Sequence, residues 1–278
     1  MTFTKGLLTD TLNRIKVWLQ SNYLVIAESI PPGLSLEEIQ AIPRNIPFSL
    51  PSEVCELYQW SRGHNQETQT MYTCIFDPYE SMALCSLEAA IALRPIFEDE
   101  IYECAIKYAG KSLFPIFQTD AENFCVVGEW DNKDSSPIIF VSKIGDMVNR
   151  YTSLTSMMLT LADCFKTSAV SFNEKGYTNW DLEKFASAYL KHNSGLLEFS
   201  LKRLKSELLM KQYDYVLRQR TIDNFINDIR YLDRERLNLG VEQLDFEVIE
   251  PLIIAMQNED EPIVSLAKQA LEKLNYNF

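Results

Sequence analysis

The feature that most constrains the fold is a group of short apolar runs between residues 113 and 151. The runs are Leu113–Phe117, Asn123–Gly128, Pro137–Val141 and Met147–Tyr151. Each has the length of a β-strand, and Asp, Asn, Ser and Gly residues separate them as turn formers do. The connections are too short to contain a crossover helix, so neighbouring strands are expected to pair antiparallel. The pattern therefore predicts an antiparallel sheet.

Helical patterns flank this sheet on both sides. They predict an amphipathic helix over about residues 4–21, short helices begun by the Ser35–Glu38 capping box and by Pro51, one over Ser86–Leu93, one over residues 99–109, and one capped by Ser153. A further strand is expected over residues 70–77, where β-branched and aromatic residues are frequent. Helices are therefore expected to pack on the sheet within residues 1–170.

Strand patterns stop after about residue 170. Apolar residues at helical spacing then mark helices over 197–208 and 222–229. The segment from Phe246 to the end resembles one HEAT-type helical hairpin, with its second helix begun by Pro262. A solenoid needs several stacked repeats, so a single hairpin is expected only to end the helical part. The chain is thus predicted to be α+β: a mostly antiparallel sheet with helices in residues 1–170, then an all-helical extension in 171–278.

Charge limits the class of partner. The formal net charge is −13, and such a surface repels phosphate backbones and anionic lipids. Neither nucleic acid nor a membrane is therefore expected as a partner. A basic protein is the partner that this charge suits. Solubility alone also explains a net charge of this kind, and at this point both explanations stay open.

Three features predict a cytoplasmic protein. No run of about 18 apolar residues, as a membrane span requires, is present. The first residues contain no continuous apolar signal core. The 6 cysteines are widely spaced without a CxxC pair and mostly lie in apolar runs, which is typical of buried free thiols in a reducing compartment.

Residues suited to catalysis or metal binding are scarce. His64 and His192 are the 2 histidines, and neither lies in a recognisable nucleophile pattern. His64 follows an expected helix and is interpreted as a solvated loop residue. Two histidines without a close cysteine pair cannot form the usual zinc sets, and no phosphate-binding glycine motif occurs. We therefore expect no enzyme, no catalytic residues, no cofactor and no metal.

Two stretches within residues 30–166 resemble the SUKH superfamily, which includes bacterial immunity proteins and fungal cell-wall assembly regulators. Residues 46–60, with Leu50-Pro51, Glu53 and Leu57-Tyr58-Gln59-Trp60, are similar to the family's leucine–proline, acidic residue, leucine–tyrosine–x–tryptophan helix. Residues 113–127 are similar to its phenylalanine–proline–isoleucine hairpin. One departure is that Arg62 precedes Gly63, where the family usually has Asn or Asp.

The resemblance implies an α+β fold and an intracellular, non-catalytic role. An immunity protein of this family would bind a toxin domain, often a nuclease, and neutralise it. An acidic inhibitor suits a basic nuclease because it mimics the charge of the substrate. The alternative is a regulatory or scaffolding protein that binds endogenous partners through its helical extension, since an immunity protein needs only the sheet domain.

Aromatic and acidic residues supply the candidate partner-binding face. The candidates are Trp60, Asp120, Glu122, Glu129, Trp130 and Asp131. Aromatic side chains dominate binding hot spots, and acidic ones steer the encounter with a basic partner. The hypothesis requires that the turns carrying these residues share one edge of the sheet. Core packing is the alternative role for the two tryptophans.

Overall fold

The structure is a computed structural model. It describes residues 6–41, 46, 48–64, 75–78, 82–97, 112–119, 122–128, 134–143, 147–173, 178–193, 195–196, 223–224, 227–228, 253, 256–257 and 261–273. The helices expected over 99–109 and 197–208, and residues 70–74 of the strand expected over 70–77, fall outside these residues. Of the first helix of the HEAT-like hairpin, only residues 253 and 256–257 are described. Residues 75–77, at the end of that expected strand, are described and are not in a strand.

A five-stranded antiparallel meander forms the sheet. Its strands, in spatial and chain order, are β1 (Ala83–Leu84), β2 (Leu113–Gln118), β3 (Asn123–Val127), β4 (Ile138–Val141) and β5 (Met147–Tyr151). The last four strands are those predicted from the apolar runs, and their antiparallel pairing is confirmed. Sequence reasoning missed β1 because a two-residue strand has no alternation to detect.

The described helices are α1 (Leu7–Asn22), α2 (Leu24–Ser29), α3 (Leu36–Ala41), α4 (Ser52–Trp60), α5 (Leu87–Leu93), α6 (Leu154–Lys166), α7 (Leu182–His192) and α8 (Glu261–Lys273). Two predicted helix starts are confirmed by their hydrogen bonds. The Glu38 N–H donates to Ser35 Oγ (3.1 Å) and the Ser35 N–H donates to the Glu38 carboxylate (2.7 Å). Ser153 caps α6 in a reciprocal pair with Ser156. None of the described helices combines the length and apolar character needed to cross a membrane.

Apolar clusters cover both faces of the sheet. Alternate strand residues such as Phe114, Phe124 and Ile138 join the main core, which also contains the buried stripes of α1, α4 and α6. Their neighbours in the strands belong to a second cluster with Phe97. Burial on both faces explains why the strands are nearly continuous apolar runs and do not alternate with polar residues. The α+β class is confirmed.

The chain does not leave this core at residue 170. A short hairpin of β6 (Val170–Phe172) and β7 (Thr178–Trp180) follows α6, where the sequence predicted no strand. Three-residue strands are too short to detect by alternation. Helix α7 then packs against α6. Its Phe185 and Tyr189 are part of the main core, and the Tyr189 ring lies 5.5 Å from that of Tyr151.

Candidate functional site

Two of the six predicted partner-binding residues, Trp60 and Glu122, lie in the described part of the chain. Asp120, Glu129, Trp130 and Asp131 lie outside it. Trp60 is the last residue of α4, and its half-buried ring packs against the main core. Its indole Nε1 is buried and has no hydrogen-bond acceptor among the described residues. Trp60 therefore contributes to packing and also offers part of its ring to the surface.

Glu122 belongs to the tight turn between β2 and β3. The Thr119 N–H donates to the Glu122 carbonyl (2.8 Å), and the Glu122 N–H donates to Thr119 Oγ1 (3.1 Å). Strand β3 then carries the chain from Glu122 to Gly128 at its far end. Six residue steps of extended chain span roughly 20 Å. The two turns that carry the acidic candidates therefore start from opposite ends of β3.

The acidic residue of the SUKH-like motif, Glu53, has a structural contact. It is 1% exposed, and its carboxylate accepts the backbone N–H groups of Thr155 (3.0 Å) and Leu154 (3.3 Å) in the first turn of α6. A carboxylate in this position satisfies orphan helix donors and complements the helix dipole. Burial raises the pKa of Glu53, and the hydrogen bonds from Thr155 and Leu154 only partly oppose it. The motif thus joins α4 to α6.

A buried ion pair fixes residues 75–78 to the sheet. Arg150 Nη2 donates to Asp77 Oδ1 (2.7 Å) and Arg150 Nε donates to Asp77 Oδ2 (3.2 Å), a two-pronged arrangement. The Tyr151 hydroxyl donates to the same carboxylate (2.9 Å). The side chains of Arg150 and Asp77 are 5% and 0% exposed. Both charges are therefore engaged in holding the fold together.

Side chains from beyond residue 170 cover the outer edge of β5. The Met147 N–H donates to Asn224 Oδ1 (2.9 Å), and the Asn149 N–H donates to Asp228 Oδ1 (2.6 Å). Asn149 Nδ2 also donates to Asp228 Oδ2 (2.6 Å). Asn224 and Asp228 are four residues apart, the spacing of one helix face. The edge is therefore closed to addition of another strand at these positions.

The opposite edge of the sheet is covered by the segment after α4. The His64 N–H donates to the Leu84 carbonyl (2.9 Å), and the Ser86 N–H donates to the His64 carbonyl (2.8 Å). His64 is thus a half-buried, strand-like residue paired with β1, and its interpretation as a solvated loop residue is wrong. Partial burial lowers the pKa of its imidazole. Two-residue β1 gave no signal from which this pairing could be predicted.

A surface cluster connects α6 and α7. Asp163 Oδ2 lies 2.8 Å from His192 Nε2 and accepts a hydrogen bond from Lys191 Nζ (2.6 Å). Burial opposes ionisation of Asp163, but the two partners outweigh it and lower the pKa of the carboxyl. His192 Nδ1 is buried and has no hydrogen-bonding partner among the described residues. Within that part of the chain, the histidine–aspartate pair therefore does not extend to a nucleophile.

The described surface combines an aromatic ring with carboxylates at α3 and α4. Glu56 and Trp60 are one helical turn apart on α4, so they lie on the same side of that helix. Helix α3 packs against α4 and adds Leu36, Glu37 and Glu38, all exposed. We call Leu36, Glu37, Glu38, Glu56 and Trp60 the α3–α4 face. The i, i+4 spacing of Glu56 and Trp60 was a signal in the sequence, but reasoning from the turns overlooked it.

Hydrogen bonds hold the α3–α4 face in place. The Leu34 N–H donates to the Tyr58 carbonyl (2.8 Å), and the Glu56 carboxylate accepts from the Thr9 hydroxyl (2.7 Å) on α1. Hydrogen bonds from Ser35 lower the pKa of the exposed Glu38 carboxyl, with a smaller contribution from Arg62. The face is therefore a preformed surface, carried by helices that the core fixes.

The cysteines in the described part of the chain are free. Cys85, Cys125 and Cys164 are buried, as predicted, and Cys55 is half-buried; Cys74 and Cys104 lie outside the described residues. Burial raises the pKa of both Cys85 and Cys164 to about 12. In this part of the chain, no group of three or more His, Cys, Asp or Glu residues is placed to hold a metal ion.

Comparison of the sequence with protein-family models and with curated proteins finds no match.

Proposed function

We propose that the protein is a non-catalytic binding protein that holds a basic protein partner on the α3–α4 face. The observation that carries this proposal is that the half-buried Trp60 and the Glu56 carboxylate lie one turn apart on one side of α4. Helix α3, which packs against α4, adds the exposed Glu37 and Glu38. Partly buried aromatic anchors with a charged rim are typical of binding hot spots.

The net charge of −13 supports a basic partner. Carboxylates around an aromatic anchor steer a positively charged protein toward it and raise the rate of encounter. The same charge disfavours nucleic acid and anionic membranes as partners. A cytoplasmic setting is part of the proposal, and the free thiols of Cys85, Cys125 and Cys164 agree with it.

The use of the buried ionisable groups supports a role without catalysis. Glu53 caps α6, Asp77 and Arg150 pair with each other, and Asp228 binds Asn149. Each of these side chains makes a contact between distant parts of the chain. These buried ionisable side chains are therefore used to hold the fold together. Recognition of a partner by surface side chains is the function that this arrangement favours.

The resemblance to SUKH immunity proteins supplies the class of partner. A toxin domain with a basic active-site cleft would be occluded by the acidic α3–α4 face, because the carboxylates stand in for substrate phosphates. Both sheet edges are covered at the positions described above, so binding by side chains is favoured over strand addition. The scaffold alternative instead places the binding surface on the helical extension.

The test is affinity capture of the tagged full chain from its native host, followed by mass spectrometry. We expect one dominant basic protein, whose capture weakens as salt rises from about 50 to 300 mM because exposed charges are screened. Expression of that protein alone should be toxic, and co-expression with this chain should restore growth. Several partners captured equally at both salt concentrations, without toxicity, would contradict the proposal and favour a scaffold.

A second experiment distinguishes binding on the α3–α4 face from binding on the turns predicted from the sequence. Charge reversal at the turn residues, in the triple variant Asp120→Lys, Glu122→Lys and Asp131→Lys, should leave capture largely intact if the α3–α4 face is the binding surface. Loss of the partner in this variant, with retention when the α3–α4 face is reversed, would assign binding to the turns predicted from the sequence.

A further inference from the structure

A groove of about 300 Å³ lies between α1 and α6, on residues that the α3–α4 face does not include. It is lined by Arg14, Ile15, Trp18, Ala162, Phe165 and Lys166. Its volume is at the lower end of the range of small-molecule sites, which is about 300–1,000 Å³. The groove can therefore hold a small ligand or one part of a larger one.

Aromatic rings form the apolar part of the groove. The Trp18 ring stacks on Phe165 with centroids 4.4 Å apart and an interplanar angle of 27°. Phe165, Ile15 and Ala162 are buried, and Trp18 is half-buried. Part of the indole therefore remains accessible, and it can take a further flat or aliphatic group against its surface.

Two positive charges complete the lining. Arg14 on α1 and Lys166 in the last turn of α6 are both exposed. Neither forms an ion pair with a carboxylate in the described part of the chain, whereas Lys191 and Lys184 pair with Asp163 and Asp181. Two cations beside one apolar groove are notable in a chain whose net charge is −13. Both side chains line the same groove.

We propose that this groove binds a small organic anion with an apolar or aromatic body. The guanidinium of Arg14 and the ammonium of Lys166 would bind its carboxylate, sulfonate or phosphate group, and the apolar body would lie against Trp18. Arginine binds planar anions through two parallel hydrogen bonds, and lysine adds a point charge. Arg14 and Lys166 make the local potential at the groove more positive, so an anionic group is held better there than at the acidic parts of the surface.

The probe is 8-anilinonaphthalene-1-sulfonate, with N-phenyl-1-naphthylamine as its uncharged counterpart. Fluorescence titration of the folded full chain should show one site for the anion. The double variant Arg14→Gln/Lys166→Gln should weaken that binding about tenfold, because two charge-assisted contacts are lost. The control variant Lys143→Gln/Lys268→Gln removes two exposed charges that do not line the groove. It should change binding by less than about twofold, because exposed charges without a direct contact are screened by salt.

The neutral probe separates charge recognition from simple apolar adsorption. Its binding should be weaker than that of the anion and unaffected by the Arg14→Gln/Lys166→Gln variant. The proposal would be overturned by absence of anion binding, by equal binding of the two probes, or by equal effects of the groove and control variants. Unfolding curves of the variants should match that of the wild type, because only exposed side chains are changed. The result is independent of the proposed partner on the α3–α4 face.

Discussion

The Glu53 carboxylate accepts the N–H of Thr155 at 3.0 Å, across 102 positions of sequence. This contact joins the motif helix α4 to the N-terminus of α6, the helix that follows the last strand of the meander. Replacement Glu53→Ala leaves two first-turn donors of α6 without their acceptor. We expect a loss of about 1–3 kcal/mol in the free energy of unfolding, measured by denaturant titration. Glu56→Ala on the same helix serves as the control and should cost less, because Glu56 is not fully buried.

The pH dependence of Glu53 has a defined sign. Burial raises its pKa, so the folded protein holds this proton more tightly than the unfolded chain. The resulting stabilisation is present below the usual glutamate range and is lost as the pH rises through the folded-state pKa. The unfolding free energy of the wild type minus that of Glu53→Gln should therefore fall between acidic and neutral pH. A difference that rises with pH would mean that the α6 N-terminus outweighs burial.

Asn224 and Asp228 accept hydrogen bonds from the outer edge of β5, and this contact can be tested by substitution. Asp228→Ala removes the acceptor for both the N–H and the side-chain amide of Asn149. We expect a destabilisation of about 3 kcal/mol, since buried donors lose their partners, and concentration-dependent association in size-exclusion chromatography, since the strand edge opens. The exposed control Glu183→Ala on α7 should show neither change. Equal behaviour of the two variants would contradict the assigned role of Asp228 at the edge of β5.

Two glycines with positive φ form a matched pair. Gly6 has φ +87° with nothing within 4 Å of an added Cβ, whereas Gly63 has φ +73° and its Cβ would lie 2.2 Å from the Cys85 carbonyl oxygen. Gly6→Ala should cost about 1–2 kcal/mol from backbone strain alone. Gly63→Ala should cost at least twice as much, because the segment that covers β1 must move. Equal costs in chemical denaturation would show that this segment is not closely packed.

Local patterns predicted much of the fold. The apolar runs at 113–151 gave β2 to β5 because strand length and turn residues are properties of adjacent positions. The helix starts at Ser35 and Ser153 were predictable for the same reason, since a cap is completed within three residues. Strand β1 and the hairpin at 170–180 were missed because each strand is only two or three residues long.

Local sequence patterns could not predict the contacts between distant parts of the chain. The sequence singled out Glu53 by resemblance, but its acceptor role depends on α6, about a hundred positions away. The Asp77–Arg150 pair and the Asn149–Asp228 contact likewise join segments more than 70 positions apart. For the candidate site, turn patterns led to the prediction of Asp120 and Glu122, which stays a prediction. The i, i+4 spacing of Glu56 and Trp60 on α4 is the local pattern behind the proposed α3–α4 face.

The most direct test of the proposed function is a comparison of two charge-reversed full chains in affinity capture from the native host. Glu37→Lys/Glu56→Lys changes the α3–α4 face, and Glu183→Lys/Glu272→Lys changes exposed positions on α7 and α8 by the same net charge. We predict that the first variant loses the dominant basic partner and that the second retains it, with both chains remaining folded by circular dichroism. Retention of the partner by both variants, or equal loss by both, would contradict binding on the α3–α4 face.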